Sequence, residues 1–237
     1  MKPLFLSCIL ALAATVGLQA SPVPACDTLA NETFAGLLAA GSCSIGDKVY
    51  DNFTFLNSAI GGVPVTASAV GYTVINTGNA ANGFDFGVAL TAGAGATNDI
   101  HIGYDVTSLL GPTITSADLT ITGLAIPPGS GATASFAETV CPGHDIAGCL
   151  SAQSLTAFII AGGPSQLSDH ASFAGVTELG VSKDINVFGG ATGFASISAF
   201  SNTVDQTSAV PEPRFYGLIA GCLGAIVLIV KRRKSAV

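Results

Sequence analysis

Eight consecutive residues, Asp99-Ile100-His101-Ile102-Gly103-Tyr104-Asp105-Val106, place an apolar side chain at every second position. A period of two sends successive side chains to opposite sides of an extended chain, so this run predicts a strand with one face in a core and the other in water. Val63-Val65, Tyr72-Val74, Leu119-Ile121, Phe158-Ile160, Ile185-Val187 and Phe194 to Phe200 are shorter runs of the same kind. Gly61-Gly62, Pro127-Pro128-Gly129, Gly162-Gly163-Pro164 and Gly189-Gly190 punctuate them at intervals that suit antiparallel strands. Near the start, Leu29, Phe34, Leu37 and Leu38 recur at helical spacing and Gly41 supplies a stop. The expectation is a mainly β body, an antiparallel β-sandwich or a jelly-roll-like ectodomain, with one short N-terminal helix.

Both ends of the chain depart from this pattern. Lys2 followed by the apolar run Leu4 to Leu18 has the charged start and hydrophobic centre of a secretory signal peptide, with small residues at Ala20 and Ser21 for cleavage. Residues 1–20 are read as the signal, handled by Sec-type export machinery; cleavage after Ala25 and acylation of Cys26 are the alternatives. At the other end, Phe215 to Val230 is a 16-residue stretch without a charge. At about 1.5 Å per residue it reaches about 24 Å, short of the roughly 30 Å hydrocarbon core. Arg214 and the cluster Lys231, Arg232, Arg233 and Lys234 can extend its reach by snorkelling, and the larger basic cluster predicts a cytoplasmic tail with the body outside.

Directly before that apolar stretch stands Val210-Pro211-Glu212-Pro213, which cannot be helical because each proline lacks a backbone donor and biases its predecessor toward extended geometry. Motif, apolar segment and basic end, in this order and spacing, resemble the PEP-CTERM family of sorting signals. The resemblance covers about the last 28 residues, from Val210 to the end. It implies that residues 206–237 are a sorting signal, with the motif at 210–213, a transmembrane helix at 215–230 and a basic stop-transfer tail at 231–234. It also implies a membrane-embedded exosortase as the processing partner, whose catalytic residues belong to that enzyme. A single-pass anchor with an incidental proline-rich stalk is the alternative. The layout from Cys26 through Asn52-Phe53, and the later Lys183-Asp184-Ile185, are similar to ectodomains that carry such signals.

Residues 21–205 are left as the exported body. Four of the six cysteines, Cys26, Cys43, Cys141 and Cys149, fall within it. Export favours disulfides, and of three possible connectivities Cys26 with Cys43 and Cys141 with Cys149 join the cysteines closest in sequence. A zinc site using His144 is the alternative, but a Cys-x7-Cys spacing is not that of a zinc knuckle. All 15 acidic residues lie between Asp27 and Glu212, against the two lysines Lys48 and Lys183, so this stretch carries a formal charge of −13. Such a surface repels phosphate backbones, and a chain without Trp lacks the usual stacking platforms; nucleic-acid binding is excluded on both counts.

Asp99, His101 and Asp105 share one face of the alternating strand, a geometry open to carboxylate-imidazole chemistry or to simple hydration. His144-Asp145 and Asp169-His170 are adjacent pairs that read as hydrated. No Gly-x-Ser-x-Gly elbow and no Asp-x-Asp-x-Asp-Gly loop is present, so no catalytic, cofactor-binding or metal residue is nominated and no cofactor is expected. The sequence thus predicts a non-enzymatic structural or adhesive protein, held first at the inner membrane and then at the cell surface or outside the cell. A secreted carbohydrate-binding or carbohydrate-active protein is the alternative, with exopolysaccharide as the further candidate partner.

Overall fold

The computed structural model describes residues 23–207 apart from 79, 80, 110, 112, 128 and 129. The sorting motif Val210, Pro211, Glu212 and Pro213, the apolar segment after it, the basic residues Lys231 to Lys234 and the signal peptide lie outside the described residues. Among the described residues, no helix is long and apolar enough to cross a membrane.

Among the described residues the first elements are a 3-10 turn at Cys26–Thr28 and helix α1 (Phe34–Ala40). Strands β1 (Ser42–Ile45), β2 (Lys48–Ile60), β3 (Val70–Asn76), β4 (Ala81–Ala92), β5 (Thr97–Ser108) and β6 (Ile114–Ala125) follow. The second half contributes β7 (Thr133–Pro142), β8 (Gln153–Ile160), β9 (Ser165–Gln166), β10 (Ser168–Val176), β11 (Glu178–Phe188) and β12 (Ala195–Gln206). They form two sheets, β1-β2-β5-β11-β7-β8-β9 and β10-β6-β12-β4-β3, in which every paired neighbour is antiparallel. The body is a β-sandwich, as the period-two pattern predicts.

The inward positions of each strand meet between the sheets. Tyr50, Tyr104 and Phe136 come from the seven-stranded sheet and Phe84, Phe86 and Phe200 from the five-stranded one, all buried. Ring centroids lie 4.9 Å apart for Tyr50 and Phe84, 5.9 Å for Phe84 and Tyr104, and 5.1 Å for Phe136 and Phe200. Buried aromatics in such tilted and edge contacts dominate the cohesion of a small core, each pair adding about 0.5–1.5 kcal/mol beyond area burial.

Two local expectations are corrected. Helix α1 starts at Phe34 and leaves Leu29 outside it, because the Thr33 hydroxyl accepts the Gly36 N–H at 3.3 Å and caps the first turn. Its end is as predicted: Gly41 has φ 73° and its N–H donates to the Leu37 carbonyl at 3.0 Å. Val63-Val65 is not a strand. Pro64 lacks a ladder donor, and the carbonyls on either side are taken by side chains, Val63 by Asn98 at 2.8 Å and Val65 by Asn57.

Both favoured disulfides are present. Cys26 joins Cys43 with Cα atoms 4.9 Å apart, fixing the 3-10 turn to β1, and Cys141 joins Cys149 at 5.5 Å, closing the loop after β7. These bonds indicate an extracellular or periplasmic protein. The second loop lies over β11 at Gly180, whose N–H donates to the His144 carbonyl at 2.8 Å. A Cβ there would fall 2.3 Å from the Ile146 nitrogen, so only glycine admits this approach.

Candidate functional site

Two polar clusters lie on opposite surfaces of the seven-stranded sheet, and a third lies on the five-stranded sheet. On the outer face, β5, β11 and β2 set Asp99 beside Asn186 and Ser58, and His101 beside Asp184 and Leu56. His101 Nε2 lies 3.6 Å from Asp99 Oδ1 and 3.8 Å from Asp184 Oδ1. Burial, then the Asp184 charge, pushes the Asp99 carboxyl above the usual range. Among the described residues this is the group whose ligand atoms, all within 4.8 Å of one another, could reach a single cation. The sequence brings Asp99 and His101 together; Asp184 arrives through strand register.

Asp105 shares the face but not the site. At about 3.3 Å per residue it stands some 13 Å from His101 along β5. There it accepts the Asn52 amide at 2.8 Å and the Ile146 N–H at 3.2 Å. Asn52 adopts φ 51° at the bulge where β2 slips against β5, and the Cys141–Cys149 loop covers the position from above. Asp105 is therefore a buried acceptor that fastens a bulge to a loop. The solvated reading of this face holds at His101 and fails at Asp105.

Asp169 and His170 point apart, as neighbours in a strand must. Asp169 accepts the Thr156 N–H at 2.8 Å, while His170 Nδ1 lies 2.7 Å from Asp118 Oδ1 and His170 Nε2 2.7 Å from Ser172 Oγ. The connectivity is that of a Ser-His-Asp relay. It stands on an open strand pair, with the side chains of His170 and Asp118 50% and 36% exposed. Strand N–H groups lie in the plane of the sheet, occupied by ladder bonds, so they do not aim at an oxyanion above the face. His144 and Asp145 sit in the disulfide loop, where Asp145 Oδ1 accepts the Gly148 N–H at 2.5 Å.

The inner face holds a second polar group. Glu138 on β7 and Lys183 on β11 are register partners, both buried, with Lys183 Nζ 2.5 Å from Glu138 Oε2. Asn202 on β12 of the opposite sheet donates through Nδ2 to Glu138 Oε1 at 2.9 Å and Oε2 at 3.2 Å, and to the Asp118 carbonyl at 2.7 Å. The Tyr104 hydroxyl donates to Asn202 Oδ1, and Lys183 Nζ lies 5.6 Å from the Tyr104 ring centroid. Burial pushes the Glu138 carboxyl up and the Lys183 ammonium down, although each attracts the charged form of the other. Lys48, the other lysine of the body, is buried too; its Nζ donates to Gln206 Oε1 and to Asp47 Oδ1 at 3.2 Å.

No protein-family model matches the chain, and no curated protein does. Solved structures overlap it loosely. One is TmCBM61 in complex with β-1,4-galactotriose, 9% identical, over 62% of this chain and 86% of that one, at a TM-score of 0.26. Another is the family 11 carbohydrate-binding module from Clostridium thermocellum in complex with a β-1,3-1,4-mixed-linked tetrasaccharide, 9% identical, over 63% and 88%, at 0.22. The enzymatically active domain of bacteriophage CBA120 tailspike protein 4 is 15% identical, over 65% of this chain and 19% of that one, at 0.28. At such TM-scores the overlap is too loose to transfer a residue, a ligand or an activity.

Proposed function

We propose that this protein is an exosortase-processed surface or matrix protein whose β-sandwich serves a non-enzymatic, structural or adhesive role. The observation that carries the reading is the pair of disulfides, which fix the N-terminal turn and the loop after β7 and suit a body that folds outside the cytoplasm. The address comes from the Pro211-Glu212-Pro213 motif, the apolar segment and the basic end. The decisive experiment replaces Pro211, Glu212 and Pro213 with Ala and follows intact mass and location in cells with and without the processing enzyme. Loss of processing and of surface delivery is expected; unchanged mass and location would sink the sorting role.

A second reading, carbohydrate binding by the outer face of the seven-stranded sheet, is favoured by a specific arrangement. Exposed Leu56, Ile60, Phe188 and Ile160 share that face with Asp99, His101 and Asp184. Apolar patches beside hydrogen-bonding groups suit sugar rings, which have both apolar faces and hydroxyls. A glycan array probed with the purified protein separates the readings, saturable binding favouring the second. Labelling of Ser172 by a fluorophosphonate probe would overturn the non-enzymatic role.

A further inference from the structure

We propose that Lys183 and Asn202 become joined by a side-chain amide bond, formed with Glu138 as the acid-base group, that ties the two sheets together covalently. Such a bond needs an unprotonated amine, a carboxamide with a polarised carbonyl, a group able to take a proton from one nitrogen and give it to the other, and exclusion of water. Each requirement has a residue. Glu138 Oε2 contacts both nitrogens, Lys183 Nζ at 2.5 Å and Asn202 Nδ2 at 3.2 Å. The Asp118 carbonyl, which can only accept, fixes Nδ2 on its side and so turns Oδ1 toward the Tyr104 hydroxyl.

Lys183, Glu138, Asn202 and Tyr104 are all essentially inaccessible to water. Burial disfavours the separated charges of the lysine and the carboxylate, so transfer of the proton from Lys183 to Glu138 leaves a neutral amine beside a neutral acid. Holding both nitrogens on one carboxylate in a dry site lowers the entropic barrier that opposes amide exchange in water.

The step balances within the protein. The Nζ lone pair attacks Asn202 Cγ, a C–N bond forms, and the carbonyl electrons move to Oδ1, where the Tyr104 O–H holds the developing charge. Glu138, holding the proton it took from the ammonium, delivers it to Nδ2 and, as the carboxylate, then takes a second proton from Nζ, ending as the neutral acid. The Cγ–Nδ2 bond then breaks and ammonia leaves, so one amide replaces another with no oxidant, metal or cofactor. Lys48 supplies an internal comparison. It faces the oxygen of Gln206, while Gln206 Nε2 has no partner, so no acid reaches the nitrogen that would have to leave.

Peptide mapping of the purified full-length protein by mass spectrometry, after reduction and digestion with a low-specificity protease, tests this directly. The expected product joins the peptides bearing Lys183 and Asn202, lighter by one ammonia than their sum, while the Lys48 and Gln206 peptides stay separate. Glu138→Gln is expected to abolish the joined peptide, and His101→Ala to leave it intact. Linear Lys183 and Asn202 peptides from wild-type protein whose two disulfides are formed would overturn the proposal, and a joined peptide in Glu138→Gln would overturn the role of Glu138. The wild-type map decides the bond alone, so a variant that fails to fold leaves the test intact.

Discussion

Lys183 and Asp184 are adjacent on β11, yet one belongs to the interior and the other to water. The inner group of Lys183, Glu138 and Asn202 is dry and its members contact one another directly. The outer group of Asp184, His101 and Asp99 holds ion-pair distances of 3.6 and 3.8 Å, with the side chains of His101 and Asp184 46% and 49% exposed. The same kinds of charge thus do different work on the two sides of one sheet. Inside, desolvation makes every contact consequential; outside, water screens it.

The contrast can be broken most sharply by Lys183→Met, which leaves the buried Glu138 carboxyl without its lysine partner and removes one end of the proposed cross-link. A loss of about 3–5 kcal/mol is expected from the missing partner alone, measured by denaturant unfolding. The adjacent Asp184→Asn should change stability by less than about 1 kcal/mol in the same assay. Equal effects would mean that burial does not distinguish the two faces.

Replacing Cys26 and Cys43 together with Ser should cost about 3 kcal/mol, because the bond closes a loop of 17 residues in the unfolded chain. Thermal unfolding under oxidising and reducing conditions checks it, and reduction should affect the wild type alone if this bond dominates the redox dependence.

The smallest expected effect is one of pH. Asp99 titrates above its unfolded value, so its contribution to stability is fully present below the unfolded value and is lost as pH rises through the folded value. Asp99→Asn removes that loss, and the variant should gain on the wild type as pH climbs out of the carboxylate range, by less than about 1 kcal/mol. A difference that grows in the opposite direction would reverse the assignment.

The pairing of Cys26 with Cys43, the pairing of Cys141 with Cys149 and the stop at Gly41 were all legible in the sequence, because each depends on residues close along the chain. The inner cluster had a local trace as well. Phe136-x-Glu138-x-Val140 and Val181-x-Lys183-x-Ile185 each place a charge at the apolar parity of a strand, which is where a buried pair has to sit. That Asn202 completes it depends on how two sheets face each other, and no local pattern carries this. The burial of Asp105 has no local trace for the same kind of reason: the loop that covers it begins more than 30 residues later. His170 and Ser172 are two apart and so share a face, but Asp118 joins them only through the register of β10 on β6.

Strand β12 runs between β4 and β6 and ends at Gln206, the last strand residue among those described. A pull entering through the residues that follow therefore reaches a strand held along both edges. It loads two ladders in shear together, where an edge strand such as β3 or β10 would peel one hydrogen bond at a time. The arrangement favours a body that resists unfolding by a force applied beyond Gln206.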